Sequence, residues 1–192
     1  KNSYDSKKYD LSLVIDNKND ISKFEKYQFC SGIKNFIKID KTDNILETIY
    51  KILGKFKDKE ELIIQTITLI PHKSINIIPN SLDVVKTTKK GSWQMIEINQ
   101  GNETNKYAIA GRLFVKIIDL KDFFKSNSFH NKGKLKSLYL YLIEKKDYKI
   151  NHVNWIDSGH IETLSRTRTD YCLSRSFNNI KYDRLRNSVI KS

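Results

Sequence analysis

Two prolines, two cysteines, one methionine and seven glycines in 192 residues exclude several kinds of protein. So few prolines rule out a collagenous or mucin-like stalk. Cys30 and Cys172 stand far apart and without metal-ligand spacing, so neither a disulfide framework nor a zinc site is expected. Such cysteines suit a reducing compartment, and the cytoplasm is the expected location. His72, His130, His152 and His160 show no paired spacing that would hold a transition metal. No run approaches the ~18 consecutive apolar residues of a membrane span, and no signal-peptide pattern opens the chain. A membrane is therefore not an expected partner.

What is present points to a folded domain. Hydrophobic residues make up 39% of the chain and aromatic residues 11%, enough for one globular unit with a sizeable core. The 35 Lys+Arg outnumber the 22 Asp+Glu for a formal charge of +13. A surplus of that sign suits nucleic acid, a membrane surface or anionic small molecules. The lysines, however, are interleaved with carboxylates, as from Lys55 to Glu61, and never run longer than two. They read as a solvated, composition-driven surface, and nucleic acid is not the expected partner. The chain opens on Lys1 in a charged lead-in and ends abruptly at Val189-Ile190-Lys191-Ser192. Residues 1–192 are accordingly expected to form a single domain that is a segment of a longer polypeptide.

Periodicity supplies the elements. Leu11 to Ile15 and Ile33 to Ile39 read as strands, with a short helix at Asp20 to Tyr27 between them. Asn44 followed by Glu47 resembles a capping box, after which Ile45, Leu46, Ile49, Ile52 and Leu53 share one helical face, closed by Gly54. Leu62 opens a further strand running to Ile70, apolar on consecutive residues as where both sheet faces are covered. This strand, helix, strand, helix, strand order argues for a parallel sheet. Three more strands follow, at Leu82 to Thr87, Trp93 to Ile98 and Tyr107 to Ile118, with Asn99 to Asn105 as a turn. Asp119 is expected to cap a helix around Leu120 to Phe124, and Lys134 to Lys145 forms another, with Tyr139 and Tyr141 as packing residues. Lys149 to Val153 is strand-like, Ile161 to Leu173 helical, and Ile180 to Tyr182 and Ser188 to Ile190 are short closing strands. The fold class is α/β, a mixed and mostly parallel central sheet flanked by helices, with a strand expected to be missing at its front.

One stretch carries chemistry. In Asn154-Trp155-Ile156-Asp157-Ser158-Gly159-His160 a carboxylate follows a strand and precedes a small-Gly pair and a helix. That places Asp157 at the carboxyl end of a sheet, where open α/β folds bind ligands, and a carboxylate there can hold Mg²⁺ against phosphates. The same residues also serve as helix caps, so the spacing alone leaves both roles open.

WIDSGH at Trp155 to His160, AIAGRLFVK at Ala108 to Lys116, SRSFNNIKYD at Ser174 to Asp183 and IKS at Ile190 to Ser192 together resemble the sugar-phosphate nucleotidyltransferases of capsular and surface polysaccharide synthesis. The resemblance runs from about Leu11 to the last residue. It implies a nucleotide-diphospho-sugar transferase (GT-A-like) fold, with a nucleotide or sugar phosphate as the small-molecule partner. It implies Asp157 as a Mg²⁺ ligand and Gly111, Trp155 and Gly159 as pocket residues. In some members the SR-x-FN stretch leads into a kinase-like domain, which is then an expected partner domain.

Two departures from that pattern matter. The family's Gly-rich loop, G-x-G-x-R, cradles a nucleoside triphosphate with backbone N–H groups, and no such stretch exists here. A Gly-Asp pair that supplies a second metal ligand is expected to fall at Thr66 and Ile67, and isoleucine binds no cation. Thr66 remains a candidate hydrogen-bond donor to a sugar or phosphate. The alternative to an enzyme is a catalytically degenerate module that binds a nucleotide-sugar or a partner domain.

Overall fold

The structure is a computed structural model that describes residues 9–19, 22, 33–66, 69–71, 78–86, 94–100, 103–126, 134–153 and 155–157. The helix expected at Asp20 to Tyr27, Gly159 and everything expected beyond it lie outside the described residues, as does Ile67.

The two front strands form as expected, Leu11–Asp16 (β1) and Ile33–Ile39 (β2). They pair in parallel, in register from Ser12 opposite Asn35 to Asp16 opposite Ile39. Both therefore run out at the same end, β1 on Asp16 and β2 one residue before Asp40.

Ile45–Leu53 (α1) follows, and its start obeys the Asn-x-x-Glu pattern. Asn44 Oδ1 accepts the Glu47 N–H at 3.0 Å, which satisfies one of the orphan donors of the first turn. Glu47 Oε2 answers the N–H of Asp43 at 2.9 Å, one residue outside the position a capping box specifies. The helix closes at Gly54 as expected, though not through a left-handed cap. Gly54 has φ −64°, an ordinary right-handed value. The chain tightens instead, with the Lys55 N–H donating to Ile52 O at 2.9 Å and the Phe56 N–H to Leu53 O at 3.2 Å, three-residue bonds that finish a helix without a left-handed glycine.

A larger sheet follows. Glu61–Gln65 (β3), Ser81–Val85 (β5), Met95–Gln100 (β6), Glu103–Lys116 (β7) and Lys149–His152 (β8) make it up in the order β3-β7-β5-β8, with β6 also on β7. The stretch expected as one strand to Ile70 is broken, and Leu69–Pro71 (β4) pairs with Trp155–Asp157 (β9) in a separate antiparallel ribbon. β7 is antiparallel to β3, β5 and β6, and β5 is parallel to β8. Hence β3, β5, β6 and β8 all point one way and β7 alone points back. The expected mixed sheet is present. Its mostly parallel character is one of strand direction, because β7 stands between strands that would otherwise pair in parallel.

Alternation along the strands sorts the two faces. Leu62 and Ile64 on β3, Leu113 and Val115 on β7, and Leu82 and Val84 on β5 join the core. Leu46, Ile49 and Leu53 of α1 meet the same core, as do Ile117, Leu120, Phe123 and Phe124 of Ile117–Ser126 (α2) and Leu135, Leu138, Tyr139 and Leu142 of Leu135–Lys146 (α3). The buried positions of α3 recur at the three- and four-residue spacing of a single helical stripe. Tyr139 is completely buried, and Tyr141 meets Phe123 edge-on with ring centroids 5.3 Å apart, so both tyrosines pack as expected.

Asp119 does not cap α2. β7 runs straight into the helix, which opens two residues earlier at Ile117, and the Ile117 N–H donates to Glu60 O at 3.0 Å. Asp119 sits in the first turn, where the helix dipole favours a negative charge. There it pairs with Lys146 at 3.2 Å and accepts from the Tyr148 hydroxyl at 2.8 Å. The same hydroxyl accepts the Lys116 N–H at 3.0 Å, so one buried oxygen, two residues past the end of α3, ties β7 and α2 together.

Replacing Tyr148 by Phe leaves the ring packed but strands the Lys116 N–H and removes a donor from Asp119. Leaving a buried polar group unsatisfied costs about 1–3 kcal/mol. Urea unfolding of Tyr148→Phe is expected to show a loss of that size with an unchanged m-value, and a loss below a few tenths of a kcal/mol would contradict this account of the knot.

Candidate functional site at the carboxyl end of the sheet

β7 carries an irregularity where it faces β5. Leu82 lies opposite Leu113, but Val84 lies opposite Ile109, so Ala110, Gly111 and Arg112 together face the single residue Asp83. The bulge turns on Gly111, whose φ is 65°. A residue without Cβ adopts that left-handed conformation at little cost. Gly111 O still accepts the N–H of Thr66, at 2.9 Å, the residue after the last of β3. The structure thus brings together two of the predicted site residues, Gly111 and Thr66.

The bulge also interrupts the ladder, and α3 supplies a replacement partner. Tyr139 Oη lies 2.9 Å from Arg112 O and 3.4 Å from Asp83 O. Burial, reinforced by the Asp83 carboxylate, pushes the Tyr139 hydroxyl well above the usual tyrosine range.

On the face away from the helices, Gln65, Arg112, Asp83 and Asn151 hold adjoining register positions on β3, β7, β5 and β8. The Nε and Nη2 groups of Arg112 both donate to Asp83 Oδ2, and Asn151 Nδ2 donates to Asp83 Oδ1 at 2.8 Å. Asp83 is 4% exposed and Arg112 7%. Burial pushes the Asp83 carboxyl above the usual carboxylate range, against the opposing pull of the Arg112 guanidinium and the Asn151 amide. Two buried side-chain atoms near this row have no hydrogen-bond partner among the described residues, Arg112 Nη1 and Thr66 Oγ1.

The row lies toward the carboxyl ends of β3, β5 and β8. Beyond those ends β3 and β8, on opposite edges of their four-strand row, lead within a few residues into β4 and β9. These pair with Leu69 opposite Asp157 and Pro71 opposite Trp155, so the chain that leaves one edge of the row and the chain that leaves the other meet in this ribbon. Trp155 and Asp157, two more predicted site residues, are on it. β1 and β2 present a second carboxyl end, with Lys18 N–H donating to Asp16 Oδ1 at 2.9 Å and Asn17 Nδ2 to Asp40 Oδ1 at 2.8 Å. No group of three or more His, Cys, Asp or Glu suited to a metal ion occurs among the described residues.

Sequence reasoning missed Asp83, Arg112 and Asn151, as well as Asp16 and Asp40. The first two had a signal. Each is a lone charge inside an apolar run, Ser81 to Val85 and Ala108 to Val115, and charges of opposite sign so placed are expected to find one another.

No protein-family model matches the sequence, and no curated protein matches it. Among solved structures the fold is similar to that of a protein assigned as a glucose-1-phosphate thymidylyltransferase from Bacillus anthracis, in complex with a sucrose. The TM-score is 0.64 at 13% sequence identity, over 89% of this chain and 78% of that one. At that identity the likeness establishes the fold, which is of the sugar nucleotidyltransferase type.

Two outcomes follow. Asp83→Ala leaves a buried guanidinium without its counter-ion, a change that typically costs about 3–5 kcal/mol. The double variant Asp83→Ala/Arg112→Met removes both charges and is expected to recover most of that loss in urea unfolding. The second concerns alkaline pH. Tyr139 and Tyr148 both have hydroxyls raised above the usual range by burial, so their contribution to stability is intact below about pH 10. Above it the unfolded chain ionises first and stability falls, by about 1.4 kcal/mol per pH unit for each tyrosine. Tyr139→Phe is expected to reduce that slope, and an unchanged slope between pH 10 and 11 would contradict the assignment.

Proposed function

We propose that this chain is a nucleotidyltransferase-type domain of surface or capsular polysaccharide biosynthesis, acting in the cytoplasm on a nucleotide and a phosphorylated sugar or polyol. The observation that carries the reading is the sugar nucleotidyltransferase fold together with the bulge that juxtaposes Gly111 and Thr66 at the carboxyl end of the sheet. In this reading Gly111, Thr66, Trp155 and Gly159 line the acceptor pocket and Asp157 is a Mg²⁺ ligand. A bound Mg²⁺ would neutralise charge on the phosphates. Carboxylate oxygen is suitable donor chemistry for that cation. In the reaction an oxygen of the sugar phosphate attacks the α-phosphorus of the triphosphate, a new phosphoanhydride forms, and pyrophosphate leaves with the electron pair of the broken bond. A kinase-like domain is proposed as a partner.

A second reading rests on the turn after β1. The glycine-rich phosphate cradle of the family pattern has no counterpart in this sequence, and the turn after β1 is Asp16-Asn17-Lys18-Asn19, with Asp16 Oδ1 accepting Lys18 N–H. Without that cradle the reading is a non-catalytic module that binds a sugar nucleotide or a partner domain.

The two readings separate in one set of measurements on the full chain. Calorimetric titration with glucose 1-phosphate, UTP, dTTP and the corresponding sugar nucleotides, with and without Mg²⁺, is expected to reveal saturable binding. Asp157→Asn is expected to weaken the Mg²⁺-dependent component by about tenfold or more. Pyrophosphate release from triphosphate and sugar phosphate marks the enzyme, binding without release marks the module, and absence of any binding across the panel overturns both.

A further inference from the structure

We infer that Tyr139 is a positioning residue whose buried hydroxyl holds the two-residue bulge in β7, and that the bulge sets how far the β6–β7 arm reaches past the carboxyl end of the sheet. The inference stands on strand pairing and goes beyond the proposed reaction, whose failure would leave it intact.

The arm is defined by its partners. Among the described residues β6 pairs with β7 alone, from Met95 opposite Ala108 to Gln100 opposite Glu103. β5 has its last partner in β7 at Val85 opposite Ala108. Residues 96–100 and 103–107 therefore lie past the end of β5, beyond the same carboxyl ends that lead to the β4–β9 ribbon.

Hydrophobic patterning does not fix the reach of this arm. Leu82 and Val84 of β5 and Tyr107, Ile109, Leu113 and Val115 of β7 join the core on both sides of the bulge. A slip of one residue would turn such side chains to the other face, but a slip of two keeps each on its own. If the pairing of Leu82 with Leu113 simply continued, Asp83 would lie opposite Arg112, Val84 opposite Gly111 and Val85 opposite Ala110. That continuous pairing keeps the Asp83–Arg112 ion pair and needs no left-handed residue. It carries the arm two residues further along β5, about 7 Å at the rise of an extended strand. The bulge takes those two residues up and holds the arm at the shorter reach.

Two contacts favour the shorter reach. Ile109, rather than Gly111, lies opposite Val84 and gives it an apolar partner. The other contact is polar. Gly111 O accepts from Thr66 on the β3 side and Val84 O from Val153 on the β8 side. Carbonyls alternate in direction along a strand, so Arg112 O and Asp83 O are aimed between β7 and β5, where a continuous ladder would have the two residues exchange N–H···O bonds. In the structure the Tyr139 hydroxyl stands in for that exchange, 2.9 Å from Arg112 O and 3.4 Å from Asp83 O. Tyr139 is fully buried, and a buried hydroxyl deprived of its acceptor is costly. The bulge and the hydroxyl thus satisfy each other.

The test reads distance rather than stability. Spin labels at Thr104→Cys on the arm and Lys145→Cys near the end of α3, both exposed positions, report the reach. Labels at Lys55→Cys, also exposed, and Lys145→Cys report parts of the fold that neither pairing moves. All are placed in the full chain with Cys30→Ser and Cys172→Ser. Tyr139→Phe keeps the ring and removes the hydroxyl. The Thr104–Lys145 distribution is then expected to gain a component longer by about 7 Å in about a tenth or more of the molecules, with the Lys55–Lys145 distance unchanged. Gly111→Ala disfavours the left-handed φ and is expected to produce the same component with Tyr139 intact. A folded Tyr139→Phe protein with only the wild-type distance makes the hydroxyl a packing contact and overturns the inference. A Gly111→Ala protein without the longer component overturns it too, whether or not Tyr139→Phe folds, because no second pairing is then within reach. A change in both distances marks general loosening and also counts against it.

Discussion

The sheet depends on one reversed strand. Fourteen residues long, β7 carries β6 and then β3 along one edge and β5 along the other, and it runs without a loop into α2. Every hydrogen-bonded pair of that sheet except β5 with β8 includes β7. A strand so placed cannot keep a single register against partners that differ in length and twist, and the bulge at Ala110 to Arg112 is where it gives way. The irregularity has two consequences. It turns Arg112 toward Asp83 on the face away from the helices, and it leaves carbonyls that the Tyr139 hydroxyl must serve from α3.

The local features were legible because their determinants are close in sequence. Asn44 and Glu47 are three residues apart, and the Asn44 cap forms. The polar stretch Asn99 to Asn105 marks a hairpin but not its turn, because β6 and β7 run into it and pair up to Gln100 opposite Glu103. The parallel order of β1 and β2 likewise follows from the strand, helix, strand reading. What was not legible depended on distant partners. Asp83 and Arg112 are 29 residues apart, and nothing local states that a two-residue register shift will bring them together. Asp119 misled for a related reason. An acid near a helix start satisfies the cap rule, yet its partners, Tyr148 and Lys146, come from the far end of α3 and fix it inside the first turn.

The candidate site shows the same division. Gly111 is named by a resemblance and Thr66 as a possible donor at the place of that family's glycine, and the fold joins them by a backbone hydrogen bond. β3, whose end was expected to carry a metal-binding aspartate, is antiparallel to its partner β7. The parallel pair is β1 with β2, and the carboxylates that follow those strands are Asp16 and Asp40. The family's Gly-Asp pattern directs attention to the end of β3 and away from the two acids at the other carboxyl end.

Electrostatics gives these separate ends a common logic. A formal charge of +13 first suggests a surface that attracts polyanions, but the buried polar constellation of Asp83 with Arg112 and Asn151 is neutral in sum. Burial raises the Asp83 carboxyl even with a guanidinium against it, so the pair is an expensive way to hold a sheet together, and apolar side chains of similar size would stabilise it at least as well. An ion pair kept under those conditions has its value in direction rather than in strength. Asp83 fixes one edge of Arg112 and thereby sets the orientation of its guanidinium between β5 and β7.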